Sequence, residues 1–240
     1  TGTGTTFTLS EAIYAIDSIQ VRNTDAAVNT SVVTTNSSEI VIDTTAPSAN
    51  QVFTASTSVQ PGASVTIVSS GVTSNQIWFA PSGTTSFSTG NSMTKAVNGL
   101  STAIFAPQTL GTYYLFVIDA AINRSAASTA ILTVETTNPT AAVAYSSTGT
   151  PAGSYAYKSG DANLTITATF DEAMVDSPGP QISIAGSNTL ESVTDATMTK
   201  VSVTEYTWSY GIPNTSSGTG TITLSTGTDI AGNPIPATPT

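Results

Sequence analysis

Apolar and polar residues alternate with a period of two through much of the chain. Leu164, Ile166, Ala168 and Phe170 interleave with Thr165, Thr167 and Thr169, which puts one face of an extended strand inward and the other outward. The same alternation runs through Ile182/Ile184, Tyr206/Trp208/Tyr210 and Ile222/Leu224. Earlier in the chain it predicts strands near 64–69, 76–80, 101–106, 111–119 and 128–135. Gly, Pro, Ser and Asn punctuate these runs about every ten residues, as turns of a β-sandwich do. No window approaches the roughly 18 consecutive apolar residues of a membrane-spanning helix.

A longer period overlies the short one. Asp25-Ala26-Ala27-Val28-Asn29 recurs as Asp119-Ala120-Ala121-Ile122-Asn123 and as Asp229-Ile230-Ala231-Gly232-Asn233. The first two copies precede an apolar strand and a proline-ended linker, Ile40-Val41-Ile42-Asp43-Thr44-Thr45-Ala46-Pro47 and Leu132-Thr133-Val134-Glu135-Thr136-Thr137-Asn138-Pro139. Each proline stops its strand by withholding a ladder donor. Pro47 and Pro139 are 92 residues apart, close to the length of an immunoglobulin-like sandwich. The expected division is therefore 1–46 as the last part of one unit, 47–138 as a complete unit, and 139–240 as a unit short of its final strand. Cut in this way at both ends, the chain reads as an excerpt from a longer array. A stretch of 46 residues buries little on its own, so upstream sequence or a neighbouring chain is expected to complete it.

A further signature fits the sandwich. In Gly111-Thr112-Tyr113-Tyr114-Leu115 and again in Ala12-Ile13-Tyr14-Ala15-Ile16, a Tyr stands two residues before an apolar core position, the arrangement of a tyrosine corner. The third unit has Gly218-Thr219-Gly220-Thr221-Ile222 there and lacks the Tyr. Together the VIDTTAP linker, the DAAxN hairpins and DIAGN make the chain resemble tandem bacterial Ig-like repeats of very large cell-surface proteins: adhesins, surface filaments and S-layers. The resemblance is especially close from Ala162 to Asn233. It implies an all-β chain of tandem immunoglobulin-like β-sandwich domains, and calcium near domain junctions as in some similar repeats. Such hairpins usually carry Gly before the Asn; Val28 and Ile122 replace it here, so another residue is expected to take the left-handed position.

Composition narrows the chemistry. Only 8% of residues are charged, the net charge is -10, and His and Cys are both absent. That excludes Ser-His-Asp and Cys-His nucleophilic sites, Cys/His zinc sites and disulfides. Scarce Lys and Arg argue against nucleic acid as a partner. Residues 1–46 carry five acids and one base, 47–138 two of each, and 139–240 eight acids and two bases. A neutral middle unit can pack closely while acidic flanks keep an array soluble or recruit cations.

Several residues are candidates for more than structure. Asp25, Asp119 and Asp229 either cap their own turns or bind a cation. Asp43 and Glu135 stand in the linkers, where a junction ion would sit, close to the preceding hairpins if the topology allows. Asp171, Glu172 and Asp176 form an acidic group after Phe170: a solvated loop, a calcium site or, less suitably because adjacent residues of a strand diverge, a glycosidase pair. Tyr206, Trp208 and Tyr210 are a sugar-stacking face or core, and Trp78 is a candidate for the buried sandwich tryptophan. With Tyr113, Leu115 and Val117 inward, Tyr114, Phe116 and Ile118 face outward, towards a partner or beneath a covering loop. Asn-x-Ser/Thr sequons at Asn29, Asn36, Asn123, Asn163 and Asn214 occur at about the chance rate. A Lys–Asn crosslink could draw only on Lys95, Lys158 or Lys200.

The expected function is a non-catalytic spacer or shaft segment of a large extracellular protein, partnered by itself or by neighbouring repeats, with no membrane span of its own. The alternative is a module that binds glycans or a protein receptor at the cell surface.

Overall fold

The computed structural model describes residues 6–147, 156–157, 163–212, 214 and 216–236. Lys158 lies outside them. Every regular element among the described residues is a β-strand, and no helix is long and apolar enough to cross a membrane. The chain is all-β, of the sandwich class. It divides into two compact units, one of residues 1–55, 66–105 and 114–130, the other of 56–65, 106–113 and 131–240. The strand Gly111–Ile118 runs through both.

In the first unit, Tyr114–Ile118 pairs antiparallel with Gln76–Ala80, with Phe116 opposite Trp78. Thr94–Lys95 pairs with the far edge of that strand. Both faces of these central strands are covered, so Ile77, Phe79, Leu115, Phe116, Val117 and Ile118 are all buried. The face carrying Tyr114, Phe116 and Ile118 lies beneath a covering loop, the second of the two expectations for it: Phe116 is 1% exposed, Ile118 is buried and Tyr114 is half-buried. Phe87 covers this face from the loop after Ala80, its ring 5.4 Å from Phe116 and 5.7 Å from Trp78. Arg124 lies over the Phe116 ring and Lys95 over Trp78, so each aromatic face meets a cation.

The same unit holds two short ribbons from the start of the chain. Ala12–Tyr14 pairs antiparallel with Ile40–Ile42, and Gln20–Val21 with Thr34–Thr35. None of residues 6–46 is buried. Ile13, Ile16, Val21 and Val41 are all more than half exposed. Ile16 thus has no core to enter, although the tyrosine corner before it forms: Tyr14 OH donates to Ser10 O at 3.1 Å. Its counterpart Tyr113 donates to Thr109 O at 2.7 Å.

In the second unit, Gly111–Tyr113 pairs antiparallel with Leu132–Val134, and the latter pairs in parallel with Thr57–Val59. Residues beyond 139 build two further sheets. One is ordered Ala141–Ser146, Leu164–Phe170, Glu205–Tyr210, Thr199–Lys200; the other Val193–Thr197, Gln181–Gly186, Gly220–Ser225. Alternation supplies the core between them: Ile166, Ala168, Phe170, Tyr206 and Tyr210 from one sheet, Ile182, Ile184 and Leu224 from the other, with Met174 and Met198. Tyr206 and Tyr210 are core residues here, and the Tyr206 ring stands edge-on to Phe170.

Candidate functional site

The three repeated hairpins share one hydrogen-bonding scheme, and it explains the DxxxN spacing. In the third, Asp229 Oδ1 accepts from the backbone amides of Gly232 at 2.6 Å and Asn233 at 2.8 Å, while Oδ2 accepts from Asn233 Nδ2 at 2.9 Å. In the second, Asp119 Oδ1 accepts from Asn123 N at 2.8 Å and Oδ2 from Asn123 Nδ2 at 3.0 Å. In the first, Asp25 Oδ1 accepts from Ala27 N and Asn29 N, and Oδ2 from Asn29 Nδ2. A carboxylate four residues before an amide-bearing side chain satisfies the turn's free donors and holds the Asn in one orientation. The Asn29 side chain, first, and its backbone amide keep the Asp25 carboxyl below the usual carboxylate range.

The fourth hairpin position corrects the sequence expectation. Val28 and Ile122 themselves take the left-handed conformation, each at φ 70°, where the third hairpin has Gly232 at φ 98°. A β-branched residue is strained there. The backbone bonds that close the turn, such as Ile122 N to Asp119 O at 3.2 Å, hold it in place.

Two of these oriented Asn side chains then reach a linker. Asn123 Nδ2 donates to Asp43 O at 2.9 Å, and Asn233 Nδ2 donates to Glu135 Oε1 at 2.8 Å. The expected topology is thus reversed: Asp43 and Glu135 meet the hairpins that follow them in sequence, 80 and 98 residues on. Glu135 is held further by Thr137 N, which donates to its Oε2 at 2.6 Å. Gln60 completes the third junction, its Nε2 donating to Gly232 O at 3.1 Å and Asn233 Oδ1 at 3.2 Å. Asn233 is 3% exposed, and both faces of its amide are used. The sequence marks Asn233 only as part of its hairpin, and Gln60 not at all, because the contact between them spans 173 residues.

Glu172 joins this junction. Carboxylate oxygens of Glu135, Glu172 and Asp229 lie within 4.8 Å of one another. Burial, and after it the charges of Asp229, Glu135 and Asp171, pushes the Glu172 carboxyl up to about 7, with a hydrogen bond to Asp229 in support. Its sequence neighbours point elsewhere. Asp171 accepts from Thr140 N at 2.8 Å and Thr140 Oγ1 at 2.7 Å, which lowers its pKa. Asp176 forms an exposed ion pair with Lys200 at 2.8 Å. Asp171, Glu172 and Asp176 are therefore not one site. Asp25, Asp43 and Asp119 do not belong to the trio either.

Among the described residues the trio is the one group of carboxylates close enough together to share a cation. Calcium takes six to eight oxygens, and here three carboxylates meet, two of them already accepting hydrogen bonds from Gly232, Asn233 and Thr137. The hairpin donors to Asp229 and Glu135 ease the repulsion among the three. The remaining sequence candidates have structural partners. Asn36 Nδ2 donates to Ala15 O and Ser38 O, and Trp78 Nε1 donates to Gln76 Oε1 at 3.2 Å.

A separate cavity of about 500 Å³ opens in the third segment, lined by Tyr145, Tyr157, Leu164, Leu190, Tyr210 and Thr219 among others. Tyr210 OH donates to Glu191 O at 3.0 Å and so fixes one wall.

No family model and no curated protein matches the chain. Among solved structures it is similar to SGBP-B of the Bacteroides ovatus mixed-linkage glucan utilization locus, a structure in complex with a mixed-linkage heptasaccharide. Identity is 15% and the TM-score 0.26 over 92% of this chain, which spans 54% of that one. At that identity the likeness concerns the fold alone.

Proposed function

We propose that this chain is a structural spacer or shaft segment of a large extracellular repeat protein at the cell surface, of the filament, adhesin or S-layer kind. The reading rests on the recurrent joint. The same Asp-to-Asn hairpin grips a linker at Asn123–Asp43 and again at Asn233–Glu135, which suits a chain built to repeat one connection with little bending. Its recurrent feature is mechanical, and the aromatic residues that a glycan face would need at Tyr206 and Tyr210 are in the core. Electron microscopy of the native surface with labelled antibody is the test: label confined to filaments, stalks or a lattice fits the reading, and label absent from the cell surface ends it.

The second reading is a glycan- or protein-binding adhesion module. The cavity beside Tyr145, Tyr157 and Tyr210 favours it, since tyrosine rings and hydroxyls suit a sugar's faces and edges. A glycan array decides this independently: saturable binding lost in Tyr157→Ala would favour the module, and a blank array would leave the spacer.

A further inference from the structure

Gln60 belongs to the segment before Pro139, yet both of its amide contacts lie on the hairpin near the end of the chain. It is presented from a constrained turn. Pro61 follows it, Gly62 has φ 73°, and Ala63 N donates back to Gln60 O at 3.1 Å. Gly62 N is further tied to Pro107 O. The linker starts from the same place, because Glu135 N donates to Val59 O at 3.1 Å. Asn233 therefore receives three restraints: Asp229 from its own hairpin, Glu135 from the linker, and Gln60 from the turn beside the linker's origin.

Apolar packing does little of this joining. Beside these hydrogen bonds lies an open cleft of about 420 Å³, with Thr57 and Thr133 on one wall and Ala173, Ile230 and Ala231 on the other. Ile230 is half exposed. Across such a cleft, inside one compact unit, polar contacts fix how the hairpin meets the segment that holds Gln60, since a small polar contact surface otherwise leaves room to move.

We propose that Gln60 is a positioning residue that locks the Asp229–Asn233 hairpin onto the preceding segment, so that the linker from Glu135 to Pro139 acts as a stiff joint. The inference deepens the spacer reading and rests on it. Gln60 supplies the one donor that the acidic junction takes from outside its own hairpin and linker among the described residues, and it does so without adding charge. In this sense the junction selects an amide: a carboxylate at position 60 would face the acceptors Gly232 O and Asn233 Oδ1 with no proton to give, beside the acidic trio, and an alanine would leave both to water.

The absence of cysteine from the chain allows a direct test on the full 240 residues. Ser64→Cys and Thr194→Cys, both at exposed positions, take spin labels for double electron–electron resonance. The parent should give a narrow distance distribution, and Gln60→Ala and Gln60→Glu should each broaden it measurably, as expected when a small polar contact is released. Thermal melting of Gln60→Ala should stay close to the parent, because Gln60 lies outside the buried core, whereas Gln60→Glu should melt lower as it brings a further carboxylate to the acidic junction. An unchanged width in both variants overturns the inference, as does a broad distribution in the parent. If Gln60→Ala fails to fold, Gln60→Glu carries the test. Surface microscopy and the glycan array judge the spacer reading without reference to these widths, so the two can fail separately.

Discussion

Asn233 Nδ2 donates to Glu135 Oε1 at 2.8 Å across 98 residues of chain, and that bond repeats, with a backbone carbonyl as acceptor, between Asn123 and Asp43. Removing the amide leaves buried acceptors without donors, a cost of about 1–3 kcal/mol per group. Asn233→Ala should therefore destabilise the folded chain by about 2 kcal/mol in urea unfolding, and Asn233→Asp by more, because it adds a fourth carboxylate to the junction. Asn29→Ala is the control. Asn29 is exposed and reaches no linker, so its loss should stay within about 0.5 kcal/mol. Equal effects at 29 and 233 would remove the junction as the cause.

Ile122 is strained and 81% exposed, so its side chain costs backbone energy and gains little burial. A left-handed L-residue costs about 1–2 kcal/mol, and Gly gives part of that back through greater freedom in the unfolded chain. Ile122→Gly should raise stability by about 0.5–1 kcal/mol. The reverse change, Gly232→Val, should lower it. A loss of stability in Ile122→Gly would show that the turn is not under strain.

How far the sequence disclosed these features depends on how local each one is. Period-two alternation placed Leu164–Phe170, Gln181–Gly186, Glu205–Tyr210 and Gly220–Ser225 because one buried face repeats every second residue. The tyrosine corners were legible for the same reason, since Tyr113 and Thr109 are four residues apart. The strand at Gly111–Ile118 left two readings open, because burial on both faces erases the alternation that an outward stripe assumes. Phe87, which covers it, sits in a Ser/Thr/Gly loop with no periodic signal. The meeting of Glu172 with Asp229 and of Gln60 with Asn233 depends on sheet topology, and no local spacing encodes it.

Glu172 gives the chain a distinctive pH response. It holds its proton to about pH 7 when folded, whereas an ordinary glutamate ionises near 4.5. Between those values the folded state binds the extra proton, so stability falls as pH rises from about 5 to 8 and levels off above. No His or Cys titrates in that window. Glu11, Asp25, Asp171 and Asp176 are shifted downward and lose their contribution only on further acidification. Melting temperature should therefore decline from pH 5.5 to pH 8, and Glu172→Gln should flatten the profile. At pH 8 the variant should be more stable by about 1 kcal/mol, the shift being discounted for solvent screening. A parental profile that is flat, or one that Glu172→Gln leaves sloping, would contradict the raised carboxyl.

Phe116 tests what covers the central strand. An outward residue waiting for a partner would tolerate Phe116→Glu in the folded monomer. At 1% exposure, with Phe87 against one face and Arg124 over the ring, it cannot. Burying a carboxylate costs several kcal/mol, which the exposed Arg124 offsets only in part, so Phe116→Glu should unfold the segment around Trp78. Phe87→Ala should be milder, a loss of about 2–3 kcal/mol as a half-buried ring is removed. Trp78 reports both events once the other tryptophan is removed as Trp208→Phe. Its emission should move to longer wavelength in Phe116→Glu without denaturant, and in Phe87→Ala at lower urea than in the parent. Parental emission in Phe116→Glu, together with altered self-association, would return this stripe to the surface.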